Sequence, residues 1–118
     1  MLDDKDLEFI DTLRSLKVPR NVATLITYLA NTSEAVTREI EIATRLRQPE
    51  VSIAMRTLRQ NNWIDQRDVK AAGKGRPMKV YKLSVPIQEI IRHYEKEKNS
   101  EAAKTMLAIQ RLKELSSA

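Results

Sequence analysis

The hydrophobic positions in the first part of the chain have the periodicity of amphipathic helices. In residues 3–17 an apolar side chain returns every three residues, which places these side chains on one helix face. They are Leu7, Ile10, Leu13 and Leu16. Pro19 ends this helix and suits the first turn of a second one, because proline has no N–H to donate. The second helix repeats the helical spacing at Val22, Leu25, Ile26 and Leu29.

Two further helices are predicted with a very short connection between them. Thr37 is typical of an N-cap, and the helix that it opens extends to about Leu46. Pro49 suits the first position of a fourth helix, which runs to about Asn61. Asn62 then stands where a left-handed C-terminal cap is needed, a role for which asparagine is second only to glycine. The pattern indicates a helix pair joined by a tight turn.

After this pair the pattern changes from helical to β-like. Residues 63–69 and 78–85 are rich in β-formers. The segment between them holds both glycines of the chain, which is typical of a flexible hairpin tip. After Pro86 the helical rhythm returns and continues to about Leu115, with a possible break at 99–100. An unbroken helix there would be about 40–45 Å long.

The order of these elements defines the expected fold, which is mainly α with a small β-hairpin. A helix-turn-helix followed by a hairpin is a winged helix. In this fold the second helix of the pair enters the major groove of DNA, and the hairpin tip reaches the backbone or the minor groove. We predict one domain over residues 1–118, with a winged-helix DNA-binding core at 19–85 and flanking helices at 1–18 and 86–118 for dimerisation.

The charge of the chain is concentrated in the segment predicted to meet DNA. The net charge is +5. Residues 44–82 contain 10 Lys/Arg and 3 Asp/Glu, a balance of +7, whereas residues 1–43 carry −3 and residues 83–118 carry +1. Neutralising the phosphates of a nucleic acid requires this kind of segregation, and a merely solvated face does not.

Several classes of function find no support in the sequence. There are no cysteines, so disulfides and thiolate metal sites are excluded. His93 is a lone histidine, and neither a catalytic constellation nor metal-ligand spacing is evident. We therefore expect no enzyme activity, no metal and no cofactor. The acidic N-terminus is unlike a signal peptide, and no apolar stretch approaches the roughly 20 residues of a membrane span, so we expect a cytoplasmic protein without membrane contact.

The fourth helix supplies the candidate base-reading residues. With Val51, Met55 and Leu58 buried, its other face presents an exposed set that is polar apart from one isoleucine. That set is Gln48, Glu50, Ser52, Ile53, Arg56 and Gln60. Arg56 is the strongest candidate because arginine pairs with guanine in the major groove, although a solvated helix arginine is the alternative. Glu50 either accepts a hydrogen bond from a cytosine or stabilises the helix N-terminus.

The hairpin tip and the flanking basic residues are candidates for backbone and minor-groove contacts. The predicted wing residues are Lys70, Lys74, Gly75, Arg76, Pro77 and Lys79. Residues 74–77 resemble the core of an AT-hook, in which glycine permits close approach to the minor groove and the arginine enters it. A plain hairpin turn with incidental charge is the alternative. The predicted backbone contacts are Thr37, Arg38, Arg47 and Arg59. Arg67 is a further candidate. Simple solvation is the alternative for four of these residues: Arg59, Arg67, Lys70 and Lys79.

The sequences of residues 37–43 and 48–64 resemble the helix-turn-helix of winged-helix regulators of the ArsR, MarR and TrmB kind, particularly archaeal ones. The resemblance covers about residues 33–85. The cysteine ligands general in metal-sensing ArsR proteins are missing, and so is the sugar-binding domain of larger TrmB-like proteins. The resemblance therefore implies a DNA-binding regulator and leaves its effector unknown.

An apolar stripe on the last helix exceeds what a small core can cover. It is either a dimer seam or a surface that folds back on the first helix, and we favour the seam. The predicted interface residues are Leu7, Ile10, Ile87, Ile91, Tyr94, Met106, Ile109 and Leu112. A dimer would hold two reading helices about 34 Å apart and favour a pseudo-palindromic site.

Together these patterns predict a sequence-specific, double-stranded DNA-binding transcriptional regulator that acts as a homodimer. Two alternatives stay open at this stage. One is an architectural or RNA-binding winged-helix protein with little sequence preference, which the same positive charge would serve. The other is a protein-interaction module of the transcription machinery.

Overall fold

A computed structural model describes residues 2–70 and 77–117. The chain forms two compact units, Met1–Pro86 and Ile87–Ala118. The first unit contains all elements but the last, which makes up the second unit. In chain order they are α1 Asp4–Ser15, α2 Arg20–Ala30, β1 Ala35–Val36, α3 Thr37–Thr44, α4 Gln48–Gln60, β2 Ile64–Val69, β3 Met78–Leu83 and α5 Ile87–Ser116. The predicted division into one core and flanking helices for dimerisation stays a prediction.

The core of the first unit is aliphatic and is centred on α2. This helix packs against α1, α3 and α4. The largest side chains with almost no exposed surface in this unit are Leu25, Ile26, Thr27, Leu29, Ile40 and Leu58. The buried hydroxyl of Thr27 donates to the Ala23 carbonyl oxygen at 2.8 Å, so that no polar group is lost from the hydrogen-bond network. The predicted apolar faces of α2 and α4 thus form the interior, whereas Leu7 and Leu16 of the face predicted for the first helix are exposed.

The two helices of the pair begin in the same way. The N–H of Val36 donates to the Glu39 carboxylate at 2.9 Å before α3, and the N–H of Arg47 donates to the Glu50 carboxylate at 2.9 Å before α4. Each glutamate satisfies an N–H that the helix itself leaves unpaired. Thr37 is the first residue of α3 rather than its N-cap. The cap prediction was wrong by one residue: Val36 is the N-cap, and the Glu39 carboxylate accepts a hydrogen bond from its N–H.

The end of α4 is fixed by a left-handed residue, as predicted. Asn62 has φ 60°. Its N–H donates to the Arg59 carbonyl at 3.0 Å, and the next N–H, of Trp63, donates to the Leu58 carbonyl at 2.9 Å. This pair of bonds is a Schellman motif, which turns the chain sharply out of the helix. The turn delivers the buried Trp63 to the start of β2.

Asn62→Ala should destabilise the protein by about 1 kcal/mol, because alanine resists the left-handed conformation that asparagine tolerates. Asn62→Gly should be neutral or stabilising at the same position, since glycine has no Cβ to clash. Urea denaturation of both variants measures the difference. Equal stability of the two variants would show that the left-handed conformation does not limit the fold.

The sheet has three antiparallel strands in the order β1-β3-β2. The hairpin of β2 and β3 was expected, and β1 adds a short edge in which Val36 pairs with Val80. The Arg67 guanidinium donates two hydrogen bonds, at 2.9 and 2.7 Å, to the carboxylate of Glu34, the residue just before β1. This ion pair joins β2 to the segment that enters β1, across the central strand.

The second unit is a single helix, α5. It spans 30 residues and continues through 99–100 without the break that the sequence allowed. At 1.5 Å per residue its length is about 45 Å. Every described residue from Asn99 onward is exposed. No helix in residues 2–70 and 77–117 combines the length and the hydrophobicity that crossing a membrane requires.

Candidate nucleic-acid interface

A three-residue turn sets α4 against α3. Its first residue, Arg45, is left-handed with φ 62°, and its N–H donates to the Glu41 carbonyl at 2.8 Å. The next residue, Leu46, is buried, and its N–H donates to the Thr44 hydroxyl at 3.2 Å. Because both ends of the turn are hydrogen-bonded and its middle is packed inside, the direction of α4 is fixed by local structure. This arrangement is the tight turn that the sequence predicted.

The two faces of α4 divide as the periodicity predicted. The buried side chains are Val51, Ala54, Met55 and Leu58. The exposed residues from the predicted reading set are Gln48, Ser52, Ile53, Arg56 and Gln60. Glu50 is half-buried, and its carboxylate accepts the Arg47 N–H, so its observed role lies in the helix N-terminus rather than on the exposed face. The structure therefore offers five residues of the set to a partner.

A recess of about 260 Å³ lies beside this exposed face, where α3, α4 and β3 meet. Its lining combines two cations, three hydroxyls and an amide with apolar side chains. The lining residues are Thr37, Gln48, Val51, Ser52, Met55, Arg59, Lys79 and Tyr81. The recess brings together residues predicted separately as backbone, wing and base contacts. Tyr81 was missed, since its strand position gave no hint that it borders the exposed face.

The chemistry of this recess suits an oxyanion with several oxygens, such as a phosphate. Arg59 and Lys79 supply positive charge, while the hydroxyls of Thr37 and Ser52 can donate hydrogen bonds. Within residues 2–70 and 77–117 no ion pair engages either Arg59 or Lys79. Arg67, in contrast, is committed to Glu34 at 2.7 Å. Arg59 and Lys79 thus line the recess without an ion-pair partner in the described residues, whereas Arg67 is held by its ion pair at the sheet.

The other predicted backbone and wing residues that the structure describes do not line the recess. Arg38 on α3 and Arg47 at the start of α4 are exposed. Lys70 and Pro77 are exposed at the base of the hairpin, where Val69 pairs with Met78. Lys74, Gly75 and Arg76 lie outside the described residues. The AT-hook-like contact of residues 74–77 therefore stays a prediction.

The predicted dimer residues fall into two groups. Ile10 is 5% exposed and Tyr94 is 8% exposed, so neither has appreciable surface left for a partner, and we remove both from the predicted interface. Burial, together with the nearby Glu97 carboxylate, raises the pKa of Tyr94 above its usual value. Ile87 is half-buried. The exposed members are Leu7, Ile91, Met106, Ile109 and Leu112.

The exposed apolar face of α5 is interrupted by an ion pair. Lys98 and Glu101 are joined at 3.2 Å and lie between the apolar residues of the first and last thirds of the helix. At 100° per residue, Lys98 and Glu101 fall on the same side of the helix as Ile91 and Leu112. The last third also exposes Leu107, which is not among the predicted interface residues.

Comparison with known proteins supports the fold. No protein-family model matches the chain, and no curated protein matches it. Among solved structures it is similar to a possible transcriptional regulator from Methanosarcina mazei Go1, with 13% identity, a TM-score of 0.60 and 85% of each chain covered. It is also similar to a second protein described as a transcriptional regulator, with 20% identity, a TM-score of 0.56 and coverage of 97% of this chain and 78% of that one.

A third similar structure is a MarR family regulator from Neisseria meningitidis, with 14% identity, a TM-score of 0.50 and coverage of 92% of this chain and 83% of that one. At these identities the likeness concerns the fold. The chain has the winged-helix fold that these regulators share, as the sequence predicted. The described residues form five helices and a small antiparallel sheet in which β1 adds a third strand to the predicted hairpin.

Proposed function

We propose that this protein is a transcriptional regulator that binds double-stranded DNA at specific sequences as a homodimer. The observation that carries the proposal is the surface formed by the exposed face of α4 and the cationic recess beside it. A helix with polar side chains on its outer face suits the major groove. The recess next to it suits the phosphate that borders such a groove.

The recess accounts for affinity in this proposal. Arg59 and Lys79 together neutralise a phosphate, and the counterions that this releases drive binding. Thr37 and Ser52 orient the same phosphate through their hydroxyls, which sets the register of α4 on the duplex. Contacts of this kind carry no sequence information, so specificity has to come from the exposed face of the helix.

The exposed face of α4 accounts for specificity. Arg56 is exposed and free of ion pairs within the described parts of the chain, so its guanidinium is available for bidentate pairing with a guanine. Gln48 and Gln60 can pair with adenines in the same groove. Residues 74–77 would add contacts to an AT-rich minor groove beside the site.

The proposed dimer interface is the exposed apolar face of α5. Its last third exposes Met106, Ile109 and Leu112, and apolar side chains in such a row are stabilised when a second helix covers them. A second copy of the chain is the partner that we propose, because one winged helix offers only one reading helix. Two copies related by a two-fold axis would place their reading helices about 34 Å apart and favour a pseudo-palindromic site.

The proposal predicts that selection from a random duplex library recovers one motif with inverted symmetry. Binding to that motif should weaken steeply with salt, by about 10³-fold or more between 50 and 200 mM if the dimer makes at least six phosphate contacts. Fluorescence anisotropy against the motif, an unrelated duplex and single-stranded RNA measures this. Equal binding to all three would support the architectural or RNA-binding alternative. No duplex binding at any salt concentration would support a protein-interaction module.

A further inference from the structure

Ile53 has no evident role in the fold. Its side chain is 59% exposed, whereas the other large aliphatic side chains of α4 and Met55 are all buried. An exposed β-branched residue also gives a helix less intrinsic stability than alanine would. Neither packing nor helix propensity therefore explains an isoleucine at this position.

The position of Ile53 on the helix places it at the centre of the exposed face. At 100° per residue, the buried residues of α4 centre on a direction about 150° from Ile53 around the helix axis. Arg56 and Gln60 lie within about 60° of Ile53 on the outer side. The isoleucine thus points almost directly away from the core, in the middle of the residues proposed to meet base edges.

We propose that Ile53 determines specificity by contacting the 5-methyl group of a thymine in the major groove. The inference rests on the proposed function and goes beyond it by assigning a base to an apolar side chain. Among the four bases, thymine alone presents a methyl group in that groove, and apolar side chains recognise it by excluding water. Ile53 cannot hydrogen-bond to a base edge, so the methyl group is the base feature that suits its chemistry.

The spacing along α4 places this thymine close to the base read by Arg56. The two residues are three positions apart, which corresponds to about 4.5 Å along the helix axis. Successive base pairs are about 3.4 Å apart. The thymine and the guanine are therefore expected on neighbouring base pairs of each half-site.

Replacing thymine by deoxyuridine removes only the methyl group and so tests the contact directly. Each thymine of the selected motif is replaced in turn, and the affinity of the full-length protein is measured by anisotropy. We expect one thymine in each half-site at which the replacement weakens binding about fourfold, the effect of burying one methyl group. Ile53→Ala should bind the thymine and deoxyuridine duplexes equally, whereas Ile53→Val should keep part of the preference.

Ile42→Ala is the matched control. Ile42 is an isoleucine on α3 that is 69% exposed, and it lies about 140° around that helix from Thr37, the α3 residue that lines the recess. Its replacement removes the same atoms and should leave the thymine preference unchanged. Circular dichroism confirms that all three variants are folded.

The outcomes separate this inference from the proposed function. If the selected motif binds tightly but no thymine shows a methyl effect, or if Ile53→Ala keeps that effect, the role of Ile53 is refuted and the regulator proposal stands. If the selection recovers no motif, both fail together. A change of oligomeric state in Ile53→Ala, with the methyl effect retained, would instead assign the residue to a protein contact.

Discussion

Leu112→Glu should convert the protein from a dimer to a monomer and lower its affinity for a two-half-site operator by about 10²-fold or more. The glutamate places a charge in the middle of the exposed apolar face of α5, and burying that charge against a second helix is costly. A monomer then engages one half-site, so the gain from linking two binding events, about 10²–10⁴-fold, is lost. Light scattering gives the mass, and anisotropy gives the affinity.

Leu107→Glu is the control for this prediction. Leu107 is also an exposed leucine of α5, but at 100° per residue it lies about 140° around the helix from Leu112. The same charge on this side should leave the dimer and the affinity unchanged. If Leu112→Glu and Leu107→Glu both remain dimeric, the dimer interface is not on α5. If only Leu107→Glu is monomeric, the interface lies on the opposite face of this helix.

Mutations of the proposed phosphate contacts and of the proposed base contact should change DNA binding in two different ways. Arg59→Gln and Lys79→Gln should each weaken binding to all duplexes by a similar factor. Each should also reduce the salt slope, which is the slope of log affinity against log salt concentration, by about 1 for each phosphate contact removed. Arg56→Ala should instead cost about 1–3 kcal/mol of discrimination at one base position. Repeating the selection with each variant, together with a salt titration, distinguishes these results.

Arg67→Gln controls for net charge in this series. It removes the same single charge as Arg59→Gln, but Arg67 is already paired with Glu34 and does not line the recess. Its salt slope should stay close to that of the wild-type protein. If all three glutamine variants lose the same slope, binding follows net charge alone, and the recess has no special part in it.

Local sequence rules predicted much of the fold. The helical spacing of apolar residues identified the interior of α4, and its exposed face followed because a helix with one buried side presents the other. Asn62 marked the end of α4, because few residues tolerate the left-handed conformation. These features depend on residues within a few positions of one another, which is the range over which a periodic pattern carries information.

The same local rules did not predict features that depend on contacts between distant segments of the chain. The recess forms only because β3 brings Lys79 and Tyr81 against α4, and the pattern of neither segment specifies that approach. The pairing of Val36 with Val80 spans 44 residues of chain and was likewise not predicted. Ile10 was assigned to a dimer seam because helical spacing identifies an apolar face but does not say what covers it.

The strand β1 is only two residues long, yet it links the parts of the surface proposed to bind DNA. Val36 pairs with Val80, so Thr37 and Lys79, which flank this pair and line the recess, are held at one spacing from each other. Because α3 is joined tightly to α4, the distance between the recess and the exposed face of α4 is fixed as well. We therefore expect A-form RNA, whose deep and narrow major groove sets its backbone differently relative to its base edges, to bind more weakly than the selected duplex.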